Sequence, residues 1–146
     1  MKAVKSMFMF AGLALASSSL VAANAAAEMV VIVSEKNPNS TITADNAEKI
    51  FLGKIKLFPD GSSAIPLDLP NRTEEKDYFY AKAIRKNSAQ LKAYWAKVVF
   101  TGGGAPPKSV DSQDEMVKLV AQNPNTIGYV DKSKIDPSVK VVLQVP

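Results

Sequence analysis

The run Met29-Val30-Val31-Ile32-Val33 constrains the fold more than any other stretch of the chain. It is unbroken in apolar character and β-branched after its first residue, so it offers water no polar face. Such a run reads as a strand buried on both sides. A strand of this kind needs partners in a sheet and further elements to cover it.

The rest of the sequence supplies both. Asn37-Pro38-Asn39-Ser40 is a turn cluster. Thr43 is placed to cap a short helix whose apolar face is Ala47, Ile50 and Phe51, with Gly53 ending it. Ile65, Leu67 and Leu69 alternate with Ala64, Pro66 and Asp68, which predicts a second strand. Pro66 and Pro70 cannot donate to a ladder, so this strand is short or at an edge. Asn71 and Glu74 have capping-box spacing and open a helix that pairs Phe79 with Ala83 and Tyr80 with Ile84. After Asn87-Ser88, the residues Leu91, Tyr94, Trp95, Val98 and Val99 form the clearest helical stripe. Ser112 and Glu115 box the next helix, with Met116, Leu119 and Val120 as its apolar face, and Asn123-Pro124-Asn125 stops it. Thr126 to Val130 and Val139 to Val145 read as closing strands. The order β-α-β-α-α-α-β-β gives the fold class: α/β, a small mixed sheet flanked by helices.

The first residues stand apart from this pattern. Lys2 and Lys5 precede an apolar run from Met7 to Ala16, then Ser17-Ser18-Ser19 and the small residues up to Ala27. That is the order of a secretory signal peptide over residues 1–27, with cleavage expected after Ala25 or Ala27. The apolar run is shorter than the ~20 residues a transmembrane helix requires. Residues 28–146 are then expected to form one exported, periplasmic domain with no membrane span. Loss of Lys2 and Lys5 lowers the formal charge from +4 to +2, which is too weak a field to argue for nucleic acid.

The chain has no His and no Cys, so the common nucleophile pairs and zinc sites are unavailable. The carboxylate pairs Glu74-Glu75 and Asp114-Glu115 lie in first helical turns, where they suit the helix dipole better than acid–base chemistry. No enzyme, metal site or cofactor is expected. The stretch GGGAPPKS, Gly102 to Ser109, imitates a P-loop, but it follows a helix, and Pro106 and Pro107 carry no N–H to donate. Tyr94 and Trp95 read as core packing. For an anion, the suitable segment is Asn71-Arg72-Thr73, between a strand and a helix. Arg72 could bind an oxyanion in bidentate fashion and Thr73 could add its hydroxyl. Lys54 is a further basic candidate.

The stretches ITADNAEKIFLGKIKLFPDG, AIPLDLPNRTEEKDYFYAKAI, AYWAKVVFTGGGAPPKSV and MVKLVAQNPNTIGYV, in this order, resemble phosphate-type periplasmic solute-binding proteins of ABC transporters, which have the type 2 periplasmic-binding fold. The resemblance implies a single lobe of that fold and binding of phosphate or a similar oxyanion. It also implies work with an ABC permease or another membrane protein. The family's anion-binding Arg and Ser-Gly-Thr correspond here to Asn71-Arg72-Thr73-Glu74-Glu75, which keeps an Arg and a Thr and lacks the triplet. The implied ligand residues are Arg72 and Thr73, with Asn71 as the helix cap; Glu75, placed by Phe79, is expected to face the anion. GGGAPPKS is expected to be the lobe's glycine-rich inter-helix loop. The alternative function is a lobe without a small ligand that docks a membrane receptor, a transporter component or a second copy of itself.

Overall fold

A computed structural model describes residues 28–146; the leader expected over residues 1–27 lies outside the described residues. The run that opens the chain forms β1 (Met29–Ser34), and every residue of it is buried. It is followed by α1 (Ala44–Phe51), β2 (Ile65–Asp68), α2 (Glu74–Phe79) and a π-helical turn over Tyr80–Ile84. Next come α3 (Ser88–Phe100), β3 (Lys108–Ser109) and α4 (Gln113–Gln122). The chain closes with β4 (Thr126–Asp131), a 3-10 turn over Lys132–Lys134 and β5 (Val139–Gln144).

The five strands make one mixed sheet in the order β3-β2-β4-β1-β5. β1 lies between β4 and β5 and is antiparallel to both, which explains its burial. β2 runs parallel to both β3 and β4. It is short, as its prolines require, and it is not an edge. The two-residue β3 pairs only Leu67 and Asp68, leaving the Pro66 position free of a ladder on that side.

Adjacent residues of β4 show how the faces are covered, because successive strand residues point to opposite sides. Tyr129 stacks on Phe79 of α2, with ring centroids 3.8 Å apart and planes 6° from parallel. Phe51 of α1 meets both rings edge-on. Gly128, on the other face, lies under Met116 and Val120 of α4. Helices α1 and α2 therefore cover one face of β4, and α4 covers the other. Caps hold their ends: Thr43 accepts from the Asn46 N–H, Asn87 and Gln90 form a reciprocal box, and Ser112 accepts from the Glu115 N–H.

Several expectations are corrected. The cap of α2 is Thr73 rather than Asn71, which lies two residues upstream. Arg72 between them adopts a left-handed backbone, φ 67°, and turns the chain into the helix. The α3 stripe is only partly inside: Leu91 and Trp95 are buried, Tyr94 and Val98 are half-buried, and the last turn carries Val99 and Phe100 into solvent. GGGAPPKS is not simply an inter-helix loop, since Lys108 and Ser109 form β3.

Gly128 tests the packing of α4 on the sheet. A Cβ there would lie 2.4 Å from Met116 Sδ and 3.2 Å from Val120 Cγ2, and both side chains are fully buried. Gly128→Ala should cost ~1–3 kcal/mol through overpacking. Urea denaturation would show this as a lower midpoint at unchanged slope; an unaltered midpoint would mean that α4 is not seated as described.

Candidate functional site

The parallel strands β2 and β3 end side by side at Asp68 and Ser109, which are register partners. In α/β sheets ligands gather at such carboxyl ends. A cleft of about 650 Å³ opens there. Its walls come from β2 and the segment after it (Asp68, Asn71, Arg72, Lys76), from α3 (Ser88, Leu91, Lys92, Trp95) and from the loop before β3 (Pro106, Pro107).

Asp68 is the best-connected group in this region. It is only 3% exposed, although it is the polar member of the alternation with Leu67 and Leu69. Its Oδ1 accepts from the Leu69 N–H at 2.9 Å and from the Tyr129 hydroxyl. Its Oδ2 accepts from the Tyr80 hydroxyl at 2.9 Å and from the Lys76 ammonium at 3.2 Å. A buried carboxylate is tolerated when its lone pairs are filled in this way. The π-helical turn starts at Tyr80, and this break in the α-helical repeat accompanies the delivery of the phenol to Asp68. Lys76 is held further by Asn71 Oδ1, 2.8 Å from its Nζ, and lies over the Tyr80 ring at 5.5 Å.

Burial pushes the Tyr80 and Tyr129 phenols well above their ordinary titration range, and the neighbouring Asp68 charge adds to the effect. Both therefore act as hydrogen-bond donors at neutral pH.

The structure brings Asn71 and Arg72 to the cleft and leaves Thr73 and Lys54 out of its lining. Asn71 has its side-chain oxygen engaged by Lys76. Arg72 is exposed, and among the described residues no carboxylate lies within ion-pair distance of it. The Thr73 hydroxyl is engaged locally, donating to the Pro70 carbonyl at 2.9 Å and accepting from the Lys76 N–H. Lys54 is exposed just past α1; its neighbour Gly53, φ 68°, packs against the cleft-lining Trp95. Glu75 does not face the cleft either: its Oε1 accepts from Gln113 Nε2 of α4 at 3.4 Å. Its turn toward α4 removes the repulsion that its sequence position implied.

Asp68, Lys76, Tyr80 and Tyr129 escaped the sequence reading as site residues. Tyr129 lies 61 residues beyond Asp68, and no local pattern links them. Among the described residues there is no cluster of acidic side chains suited to a metal ion, and no helix is long and apolar enough to cross a membrane.

No protein-family model matches the chain, and no curated protein matches it. Solved structures do. A Clostridium perfringens protein described as a phosphate ABC transporter substrate-binding protein, with phosphate bound, aligns with 80% of this chain at a TM-score of 0.65 and 20% identity. An ABC-type phosphate transport receptor from Vibrio cholerae aligns at 0.63 and 18%. PstS from Borrelia burgdorferi aligns at 0.59 and 15%. The alignments span only 44, 45 and 46% of those chains, under half of each. The fold is thus that of one lobe of a periplasmic-binding-protein-like structure.

The Asp68 cluster sets a pH prediction. Unfolded phenols ionise near pH ~10, whereas the buried ones hold their protons to higher pH. Above pH ~10 the unfolded state binds fewer protons than the folded one, so stability falls as pH rises and is unaffected by these groups below that range. Tyr129→Phe should make the alkaline fall shallower while lowering stability at pH 7 by ~1.5–3 kcal/mol, the value of a hydrogen bond to a charged group. Chemical denaturation at pH 7, 9 and 11 measures both; an identical alkaline slope in the variant would remove Tyr129 from the account. Asp68→Ala should cost ~3–5 kcal/mol, because it strands the Lys76 charge.

Proposed function

We propose that this chain is a solute-binding domain that takes phosphate or a similar oxyanion at the cleft beyond β2 and β3. The observation that carries the reading is Arg72, a guanidinium lining that cleft with no carboxylate partner among the described residues. Its fork suits an oxyanion in bidentate fashion. Lys92 on the opposite wall adds a second cation, and Ser109 contributes a hydroxyl. The likeness to phosphate transport receptors supports the same chemistry. Thr73 and Lys54 are secondary ligand candidates in this reading, and Asn71 acts by fixing Lys76.

The same reading makes the protein a binder rather than an enzyme. The chain has no His or Cys to activate the cleft's hydroxyls. It places the domain in the periplasm after removal of residues 1–27, as one domain over 28–146 that serves an ABC permease.

Isothermal calorimetry of the 28–146 protein at low salt tests the reading. Phosphate should bind with micromolar to millimolar affinity, and Arg72→Ala should weaken it at least tenfold, ~1.4 kcal/mol. Absence of both heat and thermal shift at millimolar phosphate would sink the proposal.

A second reading has its own observation. Phe100 is 92% exposed and Val99 53% exposed, side by side at the end of α3. Exposed apolar side chains grouped in this way suit contact with another protein, such as a membrane receptor, a transporter component or a second copy of the chain.

A further inference from the structure

We infer that the cleft takes its oxyanion as part of an organic molecule, a phosphomonoester with a flat apolar body, rather than as bare phosphate. The inference rests on the solute-binding reading and specifies the ligand class of the same site. A lone tetrahedral oxyanion fills only a small part of 650 Å³, whereas pockets of ~300–1,000 Å³ hold drug-sized organic molecules.

The walls divide into a charged part and an apolar part. Arg72 and Lys92 can meet an anionic group. Leu91, Trp95, Pro106 and Pro107 offer apolar surface, and the two prolines have no N–H with which to grip further phosphate oxygens. Trp95 is fixed in place by burial, by Gly53 at its ring edge and by Tyr94 packed edge-on at 5.1 Å. Trp95 is only 8% exposed, so it shows the cleft a rigid strip of its ring against which a flat ligand body can rest.

The cleft lining carries three cations, Arg72, Lys76 and Lys92, and two carboxylates, Asp68 and Asp77, a balance of one positive charge. Lys76 is already held by Asp68. Charge alone therefore holds a bare dianion weakly, and apolar contact supplies what charge does not.

Trp95 is the only tryptophan in the chain, so its emission reports directly on the apolar wall. The test compares phenyl phosphate with inorganic phosphate by calorimetry and by Trp95 fluorescence excited at the red edge. Phenyl phosphate should bind at least tenfold more tightly and change Trp95 emission saturably, with the same midpoint in both measurements. Equal or weaker binding of phenyl phosphate than of phosphate would overturn the inference and leave the oxyanion reading standing. Tight binding with unchanged Trp95 emission would also overturn it, by placing the organic body elsewhere. Binding of neither compound would remove the solute-binding reading and this inference with it.

Discussion

The buried carboxylate of Asp68 is the interaction on which the cleft depends. A charge at the end of β2, under the aromatic layer, is costly unless every lone pair is used. Two phenols, a backbone N–H and an ammonium use them. Each donor comes from a different place in the chain: Tyr80 from the π-helical turn, Lys76 from α2, Tyr129 from β4. The single carboxylate therefore ties the helix to the central sheet, and it fixes Lys76 and Asn71 along the wall that carries Arg72.

The aromatic layer and the polar cluster are one construction. Phe79 stacks on Tyr129, Phe51 closes the group, and both tyrosines bury their rings while aiming their hydroxyls at Asp68. Apolar burial supplies the driving force, and the hydroxyls make the charge acceptable. The cleft is thus rigid on the β2–α2 side. Across it, the loop from Gly102 to Pro107 leaves a wall built from rings and lacking main-chain donors at both prolines.

Local physics made much of this legible in sequence. The continuous apolar run of β1 announced a strand buried on both faces, and Thr43 and Ser112 marked helix starts through their hydroxyls. Non-local effects decided the rest. Asn71 and Thr73 are both good caps, and the left-handed turn at Arg72 selected the second. β3 is too short for any periodicity to reveal it. Asp68 alternates with leucines as an outward residue would; partners remote in sequence, Tyr129 above all, buried it. Of the expected ligand residues, Arg72 and Asn71 reach the cleft, whereas the Thr73 hydroxyl is absorbed by capping and Lys54 lies outside the lining.

An anionic solute in the cleft beyond β2 and β3 is what joins the fold to the proposed function. Its occupancy can be read by amide chemical-shift mapping during a phosphate titration of 15N-labelled protein. Shifts that saturate and concentrate on Asn71, Arg72, Lys76, Lys92 and Ser109 are the predicted result. Shifts absent from these residues, or confined to the exposed end of α3 at Val99 and Phe100, would contradict it.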